Sequence, residues 1–190
     1  MAKRVYFAFH YQDVIDFRAN VVRNHGLTKG VEKSGYYDAS IWEESKKKGE
    51  LALKRMINGE LEYTTVTVVL VGTHTYARRW VRYEIMKSVE RGNGLLGVHI
   101  NGIPGKDKQT KLLGPNPFKY LGITISADGK RGTPHEWDGT KWKLYADLSP
   151  FAIPEQPIAN RGKFFPLTQW FSVNDWVSDN GFNNFNTWIS

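Results

Sequence analysis

Val66-Thr67-Val68-Val69-Leu70-Val71, then Gly72-Thr73-His74-Thr75, then a run from Tyr76 through Arg79-Trp80-Val81-Arg82-Tyr83-Glu84-Ile85 read as a strand, a loop and a helix in immediate succession. The six-residue run is short, β-branched and uninterrupted, the pattern of a strand covered on both faces. Gly72 and the hydroxyl residues after it end that run, and a helical period begins near Tyr76. On this helix Val81, Ile85, Ser88, Val89 and Gly92 share one stripe. Glu84 lies about 60° from the centre of the stripe, with Trp80 one turn before it. A carboxylate therefore stands at the edge of a core, beside an indole and near the C-terminal end of a strand. In open α/β sheets that end is where ligands bind.

Working outward, the first half of the chain alternates strand and helix. Arg4 to Phe9 reads as a strand that leads into His10-Tyr11-Gln12-Asp13. Asp13 has the chemistry to cap the following helix, where Val14, Phe17, Val21 and Val22 supply an apolar face. Gly26 to Gly35 reads as a polar connection, and Tyr36-Tyr37-Asp38 as a short second strand running into Ala39-Ser40-Ile41-Trp42-Glu43-Glu44. A helix is expected from about Lys46 to Asn58, carrying Leu51, Leu53, Met56 and Ile57 and ending near Gly59. Leu95 to Ile100 is the fourth strand. Strands separated by helices indicate parallel pairing, so the expected fold is α/β with a doubly wound sheet.

The second half is less regular. Prolines and glycines gather between Asn101 and Pro166, with aromatics among them. Trp137 and Trp142 flank Asp138-Gly139-Thr140-Lys141, a turn between two short strands. Trp170, Phe171, Trp176, Phe182, Phe185 and Trp188 suggest a C-terminal helical segment and tail on the sheet. Such aromatic density is not linker composition. The expected organisation is one domain over residues 1–190, with a core over 1–104 and an extension over 105–190 packed against it.

The 190 residues are enough for one domain that buries roughly 70% of its unfolded surface. Cysteine is absent, which excludes disulfides, thiolate metal sites and a cysteine nucleophile. The apolar stretch after Met-Ala-Lys-Arg is too short for a signal peptide and no run approaches a membrane span, so a soluble, cytoplasmic protein without membrane contact is expected. The net charge of +7 raises a nucleic-acid reading. Its distribution opposes that reading, because Lys46-Lys47-Lys48 opens a solvated helical segment and Arg78, Arg79 and Arg82 share a helix with Glu84. A phosphate-bearing small ligand uses the same charge with fewer residues. The histidines His25, His74, His99 and His135 have no metal-ligand spacing, so no metal site is expected.

Three strand-to-helix loops converge at one edge of such a sheet. The first offers Phe9, His10, Tyr11 and Asp13, the second Asp38, Ser40 and Trp42, and the third Thr73, His74 and Thr75, with Trp80 and Glu84 beyond. Aromatics there suit a flat ring, and hydroxyls suit ribose or phosphate. Neither a G-x-G-x-x-G nor a G-x-x-x-x-G-K-[ST] loop occurs, which disfavours Rossmann redox enzymes and P-loop NTPases. Glycoside hydrolysis ordinarily needs two carboxylates. One suffices when the leaving group needs no proton. The nicotinamide of NAD+ is already cationic and departs neutral, so the remaining demand is to stabilise the ribosyl oxocarbenium charge. Water attacking that centre gives hydrolysis; a hydroxyl or ring nitrogen of the same nucleotide gives cyclisation, favoured where water is excluded. The residues alone leave a plainer role open for Glu84, an ion pair with Lys87 on the helix surface.

The third strand, its Thr-containing loop and Tyr76-x-x-Arg79-Trp80-Val81-x-x-Glu84-Ile85 resemble a TIR domain, whose strand-loop-helix pattern ends in W-x-x-x-E. Val5-Tyr6-Phe7-Ala8-Phe9-His10-Tyr11 resembles its first box. Asp38-Ala39-Ser40-Ile41-Trp42-Glu43, Arg79 to Ser88, Gly114-Pro115-Asn116-Pro117-Phe118 and Tyr120-Leu121-Gly122 are similar to the TIR-like ThsB proteins of the Thoeris anti-phage system. The resemblance implies a flavodoxin-like fold, Glu84 as catalytic residue, and NAD+ as substrate with no separate cofactor. It implies a cyclic ADP-ribose isomer as product, an NAD+-depleting effector protein coupled through that signal, a phage-derived trigger, and assembly into a homo-oligomer on activation. Two departures stand out. The serine common in the first box is Ala8, and the second-strand loop lacks the Pro-Gly of receptor-type TIR domains. The second departure means that adaptor-style contacts through that loop do not carry over. Ala8 and the large aromatic extension leave open the alternative of a non-catalytic TIR-like scaffold that recruits partners.

Overall fold

A computed structural model of the protein describes residues 4–28, 32–34 and 47–190. Its first sheet is parallel throughout, in the order β2-β1-β3-β4-β10, with β1 Arg4–Phe9, β2 Glu32–Ser34, β3 Val66–Val71, β4 Gly94–His99 and β10 Val173–Asp175. That is the flavodoxin-like strand order. The β3 strand matches the expected run residue for residue, and all six of its side chains are buried because helices cover both faces.

Alternation along the strands sorts the core into two clusters. Tyr6 and Ala8 of β1 and Val69 and Val71 of β3 point to the side of α3 (Glu50–Glu62) and α4 (Arg79–Arg91). Val5, Phe7, Val66, Val68 and Leu70 point to the side of α2 (Arg18–Thr28) and α5 (Gly181–Trp188).

Four expectations are corrected. The second strand lies at Glu32–Ser34, inside the stretch read as a connection; Tyr36-Tyr37-Asp38 falls outside the described residues. Its pairing with β1 is a main-chain match that Glu-Lys-Ser composition does not announce. The α3 helix runs through Gly59 to Glu62, because Leu53, Ile57 and Leu61 extend one buried stripe past the glycine, while Leu51 is exposed. Asp13 does not cap a helix. It sits within α1 (Tyr11–Ile15), its carboxyl buried against Gly72, whose missing side chain leaves the space. The chain then breaks at Phe17, an exposed residue with φ 65, so Ala19 and Val22 take the buried face and Val21 does not.

The segment after β4 contributes more than packing. It builds an antiparallel sheet of β5 (Leu121–Ile125), β6 (Arg131–Trp137), β7 (Trp142–Leu144) and β9 (Phe164–Pro166), with β8 (Phe151–Ala152) on β6. Trp137 faces Trp142 across the expected turn. The inner face of this sheet, through Leu121, Ile123 and Phe151, together with Tyr145 just after β7, packs with Val81, Tyr83, Ile85 and Met86 of α4. The α4 helix thus lies between two sheets, which is why six of its residues are buried. Two arginines rivet it there. Arg79 pairs with Glu50 and with Asp147 (2.9 Å), and Arg82 with Glu136 (2.9 Å). No helix among the described residues is long and apolar enough to cross a membrane.

Candidate functional site

Glu84 is 5% exposed and faces inward from the second turn of α4 toward β1. The Tyr6 hydroxyl donates to its Oε1 at 2.6 Å. Its Oε2 is buried and has no hydrogen-bond partner among the described residues. The surface ion pair is excluded, because Lys87 pairs with Glu90 instead. Burial pushes the Glu84 carboxyl up to about 8, and the Tyr6 hydrogen bond opposes part of that rise. A network of hydroxyls fixes the helix register here. Ser88 Oγ donates to the Glu84 carbonyl at 2.7 Å and lies 2.8 Å from Thr67 Oγ1 on β3.

Above Glu84, toward the C-terminal edge of the sheet, Ala8 is the next residue of β1 on the same face and His10 continues that alternation to the rim. His10 is half-buried. Desolvation, then the charges of Arg78, His74 and Lys111, hold its pKa down at about 4, so the ring is neutral. Asp13 is raised to about 6 by burial, against the pull of Lys111. Trp80 opens α4 one turn above Glu84, partly buried, with the Arg79 guanidinium over its ring at 5.0 Å and Tyr83 edge-on at 6.0 Å.

The other expected residues divide. Thr73 lies in the β3 loop, where its hydroxyl donates to the Leu112 carbonyl at 2.8 Å and accepts from Asn101 Nδ2 at 3.1 Å. Tyr11 is exposed at the start of α1. Phe9 points to the opposite face, packed on the α2 side with Arg23 over its ring at 5.2 Å, so the structure does not bring it to Glu84. Asp38, Ser40 and Trp42 lie outside the described residues. Among those described, no three of His, Asp and Glu converge into a metal-binding cluster.

Two contributions escaped the sequence reading. One is Tyr6, although a period of two along β1 places it on the face of Glu84. The other is the segment after β4, which holds the β3 loop in place. Asn101 Nδ2 donates to the Leu112 carbonyl at 2.7 Å, and Gly114 lies so close to the loop that a Cβ there would overlap the Gly72 carbonyl oxygen and meet Thr73 Cα at 2.9 Å. Both obstacles are backbone. Gly114→Ala is therefore expected to force the β3 loop and the 112–118 segment apart at a cost of roughly 1–3 kcal/mol. Urea unfolding checks this through a lower midpoint at an unchanged slope.

Comparison with known proteins shows the family. Residues 6–104 match the family described as Thoeris protein ThsB, TIR-like domain. The chain is 54% identical to the putative cyclic ADP-D-ribose synthase ThsB1 of Bacillus cereus (strain MSX-D12), over the whole of both proteins. The chain belongs to the ThsB TIR-like family. Ala8 lies on the same face of β1 as Tyr6, whose hydroxyl bonds Glu84.

Proposed function

We propose that this ThsB-family chain is an enzyme that cleaves NAD+ at the nicotinamide–ribose bond and closes the remaining nucleotide into a cyclic ADP-ribose isomer. The observation that carries the reading is a carboxyl placed alone in an apolar setting, with one oxygen held by Tyr6 and the other uncommitted among the described residues. Neutral nicotinamide leaves without protonation, so no second acid is required. The ionised Glu84 stabilises the positive charge that develops on the ribose, and it does so strongly because the surrounding dielectric is low. The same apolar walls keep water from the cation, leaving a group of the nucleotide itself to attack.

In this reading NAD+ is substrate and no cofactor is used. The product activates an NAD+-depleting effector protein during phage infection. A phage-derived trigger and assembly of the chain into a homo-oligomer precede full activity, all in the cytoplasm and without nucleic acid or membrane. The name of the Bacillus cereus relative, a putative cyclic ADP-D-ribose synthase, supports this reading.

Mass spectrometry of nucleotides from phage-challenged cells carrying the protein tests it. A product one water lighter than ADP-ribose, formed with stoichiometric nicotinamide, is expected. Nucleotide pools unchanged by the protein under challenge would overturn the reading and favour the scaffold alternative.

A further inference from the structure

Tyr6 sits in the interior of β1 and is fully buried. A phenol in such a place ordinarily finds a partner, and here the partner is Oε1 of Glu84, 78 residues along the chain, at 2.6 Å. That separation lies in the range of charge-assisted O–H···O contacts. The charged side chains of the surrounding elements are turned to one another and not to Glu84. Lys54 and Arg79 meet Asp147, Arg79 also meets Glu50, Arg82 and Lys143 meet Glu136, and Lys87 meets Glu90. Tyr83, on the same helix, gives its hydroxyl to Asn58 at 3.0 Å. The remaining nearby phenol, Tyr145, is buried with its hydroxyl unpartnered among the described residues.

We propose that Tyr6 is the positioning residue for Glu84: its hydroxyl fixes Oε1 and thereby presents Oε2 to the reacting ribose. This rests on the catalytic reading of Glu84 given above. A carboxyl on a three-torsion side chain, buried beside the apolar core, has no other polar side chain among the described residues to set its rotation. The hydroxyl donates, so it favours the ionised carboxylate and opposes the cost of desolvation. Tyr6 therefore does two things through Glu84. It orients the acid, and it brings the charged form within reach near neutral pH.

The test is Tyr6→Phe in the full-length protein, which keeps the ring and its packing and removes only the donor. In the activated enzyme kcat falls roughly tenfold with KM unchanged, and the acid limb of the kcat profile moves to higher pH, because the ionised acid loses its donor. A thermodynamic cycle of Tyr6→Phe with Glu84→Gln, read by urea unfolding, needs no turnover. Its coupling is expected to grow between pH 6 and pH 9, as Glu84 ionises. A coupling that does not change with pH, or an unshifted kcat profile with undiminished kcat, would overturn the role of Tyr6. Full activity of Glu84→Gln alone would instead overturn the catalytic reading beneath it, so the two failures are separable.

Discussion

Glu84→Gln removes nucleotide production, lowering turnover by at least about 10²–10³-fold, the scale for losing one electrostatic stabiliser of a transition state. The same substitution makes the protein more resistant to unfolding at alkaline pH. Glutamine keeps the shape of the side chain and still accepts from Tyr6, so the fold loses no contact that Glu84 makes in its neutral form. What it removes is a buried group that ionises. Between its ordinary value of 4.5 and about 8, Glu84 is protonated in the folded chain and ionised in the unfolded one. The folded state then binds more protons, so stability falls as pH rises across that window. The contribution is complete below pH 4.5 and is lost as pH passes through about 8. The effect is on the order of a few kcal/mol, since each pH unit that separates the folded from the unfolded pKa is worth about 1.4 kcal/mol. Thermal unfolding at pH 6 and pH 9 checks it. Wild type is expected to lose several degrees of Tm relative to Glu84→Gln on going to pH 9, at roughly 2–4 °C per kcal/mol for a chain of this length. The same titration governs activity. Acting as a carboxylate, Glu84 gives a kcat/KM that climbs with pH toward a plateau above about 8. A Glu84→Gln enzyme with wild-type turnover would remove the carboxylate from the mechanism, and a wild type whose stability is flat across this range would show that burial does not raise the Glu84 pKa.

How far the sequence disclosed this arrangement depends on which force set each element. Where hydrophobic period and helix covering agreed, as in β1, β3 and α4, the elements were legible, β1 and β3 to the residue. Where main-chain pairing did the work, they were not. Glu32–Ser34 and Val173–Asp175 are three residues each, with one apolar side chain between them, and only their parallel partners make them strands. Arg18 shows the same limit for charge. Its type predicts a solvated side chain, yet it is 1% exposed, because the carbonyls of Ile103 and Gln109 accept from its guanidinium at 2.9 and 2.5 Å and Asp16 pairs with it at 3.2 Å. In the site, Glu84 was visible as a carboxylate at a core edge, but its partner was hidden by sequence distance. Of the antiparallel sheet that buries the outer side of α4, only the Trp137–Trp142 hairpin was legible; its other strands are short and interrupted by glycines such as Gly122, over which the Phe164 ring lies. That sheet explains why α4 departs from a simple amphipathic stripe.

Deleting residues 173–190 is expected to abolish cooperative folding, although the family match ends at residue 104. The deletion removes β10 and α5 together. Without β10, the fifth position of the sheet is empty and β4 becomes an edge, with the main-chain groups that now pair with Val173–Asp175 left open. Gly97 shows how closely the two strands fit, since a Cβ there would meet the Val173 side chain at 2.8 Å. Without α5 and the residues flanking it, the α2 side of the sheet loses Trp176, Phe185 and Ile189, all buried, together with the stack of Phe185 on Phe7 at 6.1 Å. Each such side chain contributes roughly 1.5–3 kcal/mol by burial. Three of them amount to most of the net stability of about 5–15 kcal/mol that a domain possesses, before any cost for the newly exposed core is counted. Residues 1–104 and the extension are on this argument one folding unit. Circular dichroism of the truncated chain should show no sigmoidal thermal transition, and gel filtration should find it aggregated. A soluble truncated protein with a cooperative transition near that of the full chain would show instead that the first four strands and their helices suffice. In that case the C-terminal segment would be free to serve some purpose other than closing the sheet.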